Sequence, residues 1–371
     1  MDAAALHEQL IRLSNHYGSQ VEHARAGGGN ASVKHDGVLH IKPSGTTLAA
    51  LRDEDLVPLR IDVLLEALAS DAPVEGDPVM AAASAARIGE PGGRRPSVEI
   101  LFHALMPEAL VLHLHPLVAN AVTCNRHGRR LAEKLFADDV VWVDYIDPGV
   151  PLARGIAAAR REHEERTGRP APAITLLGNH GIIVAGDSYD EVAERIDHLT
   201  RTISDAIEAA PTSRSAPAAL TVDVEAVANA LREATGAEAV ASASDDFVRS
   251  NAVLGAGPVC HGPLIPDQIV YAGSLPAHLP DDASGVAATV ERFRSEHGRA
   301  PVTCVVPGQA VFAVGASQKA ARNALDTFLD ALRVARDADR LGEVRVMDER
   351  ERHFIENWEA EAYRQSVAAE S

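Results

Sequence analysis

The 371-residue sequence predicts an α/β protein in which short apolar strands alternate with amphipathic helices. Three observations predict it. Runs rich in β-branched and aliphatic residues at 109–115, 140–145 and 173–185 read as buried strands. Helical periodicity fills the stretches between and after them, as at 152–166 and 189–209. TLLGNHGIIVAGDS, from Thr175, and CVVPGQAVFAVGAS, from Cys304, share a constant offset, a closing Gly and Ser, an apolar pattern and a following long helix. The region after residue 219 therefore reads as an αβ extension, either a degenerate repeat of the first unit or a coincidence of a common strand–turn–helix pattern.

Taken in order, residues 2–18 carry Leu6, Leu10, Ile11 and Leu13 on one side and form a helix. AGGGNASVK follows over 26–34, then the turn at 35–37, a strand at 38–41 and a second small-residue turn, KPSGTT, over 42–47. Glycine-rich turns expose backbone N–H groups, and Asn30, Ser32, Ser44 and Thr46 add neutral donors. With Lys34 or Lys42 these suit a phosphate, and they equally suit a pair of ordinary hairpin turns. Short elements follow, among them the helix-like VLLEALAS over 63–70. Residues 76–95, rich in Gly, Pro, Ala and Arg, read as a loop.

That loop leads into RPSVEILFHALMPEALVLHLHP, residues 95–116, around which the chemistry gathers. Ser97 is expected to cap a helix and Glu99 to lie in its first turn. In the strand that follows, residues two apart face the same side, so His113 and His115 project together. Two imidazoles aimed together are half of a divalent-metal site. Glu99 is then a third ligand or a proton-transfer group, against the simpler reading of a carboxylate complementing the helix dipole. His103, four residues on, orients Glu99 or packs.

Residues 116–124 read as a helix, 140–145 as a strand and 152–166 as an amphipathic helix. GNHG at 178–181 breaks two strands. Its His180 is either a plain turn residue or a third imidazole brought from a neighbouring strand, and catalytic zinc commonly has three protein ligands and an open position. The helix at 189–209 ends in APTSRSAP. The expected organisation is a catalytic domain at 1–209, a linker at 210–219 and an αβ extension at 220–371, in which Gln309 takes the place of His180.

The balance of 35 basic and 53 acidic residues, a formal charge of −18, argues against nucleic acid or an anionic membrane as the main partner. An anionic substrate needs a locally positive pocket. Three well-separated cysteines suggest neither a disulfide framework nor a cysteine-type zinc site. No apolar run approaches the ~20 residues that span a bilayer, and the N-terminus is amphipathic, so a cytoplasmic location is expected. Neither a P-loop nor G-x-G-x-x-G is present, which disfavours nucleotide binding.

GGGNASVK with KPSG, PSVE with HLHP, and GNHG together make the chain resemble the class II aldolase/adducin family over roughly residues 5–205. VPGQAVFAVGAS and the closing ENWEAEAYRQ look most like the aldolase half of bifunctional rhamnulose-1-phosphate aldolase/dehydrogenases; with no dinucleotide-binding half following, dehydrogenase activity is not expected. The resemblance implies a three-layer αβα fold with a largely antiparallel central sheet, assembled as a homotetramer with sites at subunit interfaces. It implies Zn2+, or Mn2+ or Co2+, on His113, His115 and His180, with Glu99 as acid/base. It implies substrate phosphate held near Gly29, Asn30, Ser44, Gly45 and Ser97. The chain departs at Val98, where fuculose-type enzymes have a second serine, and no tyrosine maps onto the one those enzymes take from a neighbouring subunit; Tyr145 reads as a packed strand residue.

The implied reaction is retro-aldol cleavage of a ketose 1-phosphate to dihydroxyacetone phosphate and an aldehyde, and its reverse, through an enediolate. Rivals through the same enediolate are decarboxylation of a 3-keto sugar acid phosphate and 4-epimerisation of a pentulose phosphate, whose enzymes carry Asp at the Glu99 position. A rival of another class is a non-catalytic, adducin-like interaction module. Retention of three histidines and Glu99 argues against that.

Overall fold

The computed structural model describes residues 2–89, 94–211, 217, 219–251 and 257–358. Helix α1 (Ala3–Gly18) begins at Asp2, whose carboxylate accepts from the Ala5 amide at 2.8 Å, and it buries Leu6, Leu10, Leu13 and Tyr17. Strands β1 (Asn30–His35), β2 (Val38–Ile41) and β3 (Val57–Arg60) form an antiparallel meander, and α2 (Ile61–Ala69) follows. A helix, α3 (Pro78–Ala86), stands where a loop was expected. Asp77 caps it, accepting from the Val79 amide at 2.8 Å, and Pro78 takes the first helical position, where its missing N–H costs nothing.

Helix α4 (Ile100–Leu105) starts later than expected: Glu99 is its N-cap rather than a first-turn residue, and Ser97 Oγ accepts from the Glu99 amide at 3.2 Å. Then come β4 (Leu110–Leu114), α5 (Leu117–Thr123), α6 (Gly128–Phe136), β5 (Val141–Val143), α7 (Val150–Thr167), β6 (Ile174–Leu177), β7 (Gly181–Gly186) and α8 (Tyr189–Ala209). The seven strands form one sheet, ordered β3-β2-β1-β4-β7-β6-β5, with every pair antiparallel except β5–β6. On one face Leu39, Ile41, Val111 and Ile183 pack on Leu64, Phe102 and Ile156 of α2, α4 and α7. On the other lie α1 and α8, where the Tyr17 hydroxyl donates to Asp197 at 3.3 Å. The result is a three-layer αβα unit with a largely antiparallel centre.

The chain divides into two compact units. One is made of the described residues up to Thr123 and from His127 to Ile207; the other of Cys124–Arg126 and the described residues from Glu208 onward. The second unit runs α9 (Val224–Thr235), β8 (Ala239–Ala243), α10 (Asp246–Asn251), α11 (Pro266–Ala272), β9 (Ala277–His278), α12 (Val286–His297), β10 (Thr303–Val306), β11 (Ala310–Gly315), α13 (Gln318–Leu341) and α14 (Glu349–Asn357). Its sheet, β8-β11-β10-β9, has the strand directions of β4-β7-β6-β5: two antiparallel pairs, then a parallel one. The bounds of β8, β10 and β11 and the start of α13 each fall 129 residues after those of β4, β6, β7 and α8 (239 − 110, 303 − 174, 310 − 181 and 318 − 189). At that offset the left-handed turn residue Asn179 answers to Gly308, and the capping serine Ser188 to Ser317. Ser242, Ser244 and Gln309 stand where the first unit has His113, His115 and His180. Residues 212–216 and 218 of the linker, and the ENWEAEAYRQ motif beyond Trp358, lie outside the described residues.

Candidate metal centre

Strand pairing brings the separated motifs together. In the β1–β4 register Asn30 lies opposite His113, and in β4–β7 His113 lies opposite Ile183, beside the turn that carries His180. His115 sits one residue beyond β4. Its amide donates to the His23 carbonyl at 3.1 Å, and the Leu117 amide to that of Glu22 at 2.9 Å, so the chain stays held where the strand has ended. Two glycines make this approach possible. A Cβ on Gly181 would lie 2.4 Å from the Leu114 carbonyl oxygen and 2.5 Å from His115 Cδ2; one on Gly29, whose φ is +76°, would lie 2.8 Å from the His113 carbonyl oxygen.

One nitrogen from each of His113, His115 and His180 lies within 4.8 Å of the others, a grouping able to hold a metal ion. The Nε2 atoms of His113 and His115 are 3.0 Å apart, and the ring centroids of His113 and His180 are 4.9 Å apart. His113 Nδ1 stands 2.8 Å from the Ile182 carbonyl, to which it donates as Nδ1–H, leaving the Nε2 lone pair to face the cluster. Burial pushes the His113 imidazole down to about 3, which keeps it in the neutral, ligating form. Three clustered imidazoles with one ring fixed from behind are a donor set that suits a borderline divalent cation, so the residues fit such an ion.

Glu99 completes the group. Its Oε1 lies 3.4 Å from His113 Nε2 and 3.4 Å from His180 Nε2, and the Asn30 amide donates to its Oε2. Burial favours the protonated acid, but the imidazoles of His113, His180 and His115 outweigh it and hold the carboxyl well below the usual carboxylate range. As the N-cap of α4, Glu99 turns its side chain away from the helix amides, which it does not cap, and toward the histidines. Asn30, expected beside the phosphate, also reaches Glu99, because the β1–β4 register sets it opposite His113.

The turn with Ser44 and Gly45 is joined to the segment that leads into Ser97 and Glu99. The bridge Pro43↔Pro96 and the Ser44 amide donating to the Arg95 carbonyl at 2.8 Å set the turn with Ser44 and Gly45 against the one with Ser97. Ser97 is buried, Ser44 half-buried and Gly45 exposed. Both lysines donate to backbone carbonyls. Lys34 Nζ donates to the His103 carbonyl at 2.9 Å and to that of Met106; Lys42 Nζ donates to the Thr46 carbonyl at 2.7 Å, closing the turn that carries Ser44. His103 is fully buried, with Nδ1 2.7 Å from Ser32 Oγ, so its ring packs and does not orient Glu99. Val98 is buried. Tyr145 is half-buried and lies past the end of β5 rather than within a strand core.

Residues 8–207 match the model of the class II aldolase and adducin N-terminal domain. The chain belongs to the class II aldolase and adducin family. Residues 292–364 match a second model of the family, the class II aldolase second domain. Among curated proteins, an uncharacterized oxidoreductase of Bacillus subtilis (strain 168), YuxG, is 24% identical over an alignment of 411 residues that covers 97% of this chain and 58% of the relative. The chain thus spans somewhat over half the length of that relative. Among solved structures, the N-terminal class II aldolase domain of a conserved protein from Thermoplasma acidophilum is 24% identical, covering 56% of this chain and 95% of that one, with a TM-score of 0.47. The L-fuculose-1-phosphate aldolase from Thermus thermophilus is 19% identical, covering 56% and 96%, with a TM-score of 0.37.

Proposed function

We propose that this family member is a zinc-dependent aldolase that joins dihydroxyacetone phosphate to an aldehyde and cleaves the resulting ketose 1-phosphate. The observation that carries the reading is the buried Glu99 carboxylate 3.4 Å from two of three clustered imidazoles. His113, His115 and His180 would hold Zn2+, which, when bound, supplies Lewis-acid charge for the ketone oxygen and the enediolate. Glu99, kept ionised, removes a proton from the hydroxymethyl carbon of dihydroxyacetone phosphate. The electron pair moves into an enediolate, whose carbon adds to the aldehyde carbonyl; the alkoxide takes a proton from water, and the hydroxide left behind is neutralised by the proton Glu99 holds, which restores the carboxylate. In cleavage Glu99 returns its proton to the enediolate carbon. Asn30 fixes the carboxylate, and Gly29, Ser44, Gly45 and Ser97 hold the phosphate with backbone and hydroxyl donors.

On this reading the unit at 1–209 is catalytic, 210–219 links, and the described residues of the 220–371 extension repeat the β4-β7-β6-β5 arrangement without its three histidines. The assembly is a cytoplasmic homotetramer. No helix among the described residues is long and apolar enough to cross a membrane. The test is a screen of dihydroxyacetone phosphate against a panel of aldehydes, with and without chelator. Product that disappears with chelator and returns with Zn2+ supports the proposal. A protein that binds no metal and stays inert after zinc addition is instead an adducin-like interaction module, and one that releases CO2 from 3-keto sugar acid phosphates is a decarboxylase.

A further inference from the structure

A second three-histidine cluster lies on the opposite face of β1. Along that strand Asn30, Ser32 and Lys34 face α4, while Ala31, Val33 and His35 face α1. His40 of β2 pairs with Val33, two residues before His35, so both rings leave the same face of the hairpin, and α1 lays His7 over them. The His7 centroid is 4.6 Å from that of His40 and 5.2 Å from that of His35, and the His35 and His40 rings stack at 4.8 Å. One nitrogen of each lies within 4.8 Å of the others, the same limit the first cluster meets.

Contacts outside the cluster decide which nitrogens face inward. His7 Nδ1 is 2.5 Å from Asp53 Oδ1, and His35 Nδ1 is 3.4 Å from Asp36 Oδ2. An Nδ1–H donated to Asp53 leaves the His7 Nε2 lone pair facing inward, the carboxylate–histidine arrangement found behind metal ligands, while the exposed Asp36 carboxylate holds His35 more loosely. Those two Nε2 atoms stand 3.0 Å apart. Three species can join nitrogens so placed: an N–H···N hydrogen bond with one ring in the other tautomer, a shared proton, or a metal ion. Two bonds of about 2.05 Å at a tetrahedral angle separate ligand nitrogens by about 3.3 Å. The spacing is close to that, and it equals the 3.0 Å between His113 and His115. A groove of 640 Å³ lined by the three histidines, Asn15, Arg52 and Asp53 gives solvent access.

We propose that His7, His35 and His40 form a second divalent-cation site, oriented by Asp53 and Asp36, that clamps α1 to the β1–β2 hairpin. Three imidazoles without a thiolate select Zn2+, Cu2+ or Ni2+ over Mg2+ or Ca2+. Because β1 also carries Asn30 at its other end, the clamp would steady the strand that delivers Asn30 to Glu99.

The test uses the full-length, tag-free chain with His113, His115 and His180 all replaced by alanine, stripped with chelator and shown to be folded by circular dichroism. Titration with Co2+, read as visible absorption and by calorimetry, is expected to give one bound ion per chain. His40→Ala or His7→Ala added to that background abolishes the signal, and Asp53→Ala weakens it by about 10- to 100-fold. No bound ion in the folded background protein, or binding that survives both His7→Ala and His40→Ala, overturns the proposal. A pair that shares only a proton gives no cobalt spectrum and counts as the first of these. Should the triple background fail to fold, metal content of the otherwise unaltered chain answers the same question. Two ions falling to one in His40→Ala supports the site, and one ion in both refutes it.

Discussion

Replacing Gly181 by alanine tests whether the cluster of His113, His115 and His180 is set by the close approach of β4 and β7. The added Cβ would sit 2.4 Å from the Leu114 carbonyl oxygen and 2.5 Å from His115 Cδ2. Ordinary carbon–oxygen contacts begin at about 3.3 Å, so the shortfall is about 1 Å. The oxygen contact falls on backbone paired through Leu114↔Ile182, which no side-chain rotation relieves. Relief must come from parting the strands or displacing the His115 ring. Overpacking of this kind costs about 1–3 kcal/mol of stability. Moving a ligand from behind its ring typically weakens metal binding by about 10- to 100-fold. The assay is competition for Zn2+ against a chromophoric chelator in a His40→Ala background, so that only this cluster titrates, with denaturant unfolding of the metal-free protein alongside. An affinity equal to that of the Gly181 parent would refute the argument that the glycine is there to seat His115.

Glu99→Gln keeps the shape and the Asn30 neighbour but not the base; it should retain metal and lose about 10²- to 10⁴-fold in turnover, and retained turnover removes Glu99 from proton transfer. Asn30→Ala should lower kcat by up to about 100-fold through a misplaced carboxylate while leaving KM for dihydroxyacetone phosphate nearly unchanged; a raised KM with unaltered kcat would reassign Asn30 to the phosphate. Lys34 supplies a pH test: burial pushes its ammonium from an ordinary 10.5 down to about 7. Between those values the unfolded chain binds the proton that the folded chain releases, so stability rises with pH across that window. Lys34→Met should remove that part of the rise, measured by urea unfolding at matched pH values, and equal slopes in the two proteins would contradict it.

The strands were legible because their apolar runs are short, β-branched and glycine-bounded: β2 and α8 fall at 38–41 and 189–209, as expected. Helix α3 was not, because Pro78 and a string of alanines resemble loop composition until Asp77 is recognised as a cap. The three histidines were legible because each sits in a motif whose local geometry is fixed, a strand end or a tight turn. The partner of Asn30 was not, since it depends on a register between strands some 80 residues apart in the chain (113 − 30 = 83). His7, His35 and His40 carry no common motif; only the packing of α1 over the hairpin brings them together.

The second unit separates what the frame needs from what the chemistry needs. At the 129-residue offset the turn between β10 and β11 closes as the one between β6 and β7 does, the Gln309 amide donating to the Val306 carbonyl at 3.0 Å where the His180 amide donates to Leu177 at 3.2 Å. The side chains at that shared position are used differently. Gln309 Oε1 accepts from the amides of Thr221 and Val222 and so ties down the chain entering α9; His180 faces Glu99. Ser242 and Ser244, at the positions of His113 and His115, offer no imidazole. The sheet order and strand directions persist without any of the three histidines, so the αβ frame is held by its apolar strands and capped helices. It follows that removing the histidines from the first unit should cost metal and activity rather than the fold, which is the condition on which the variants above can be read.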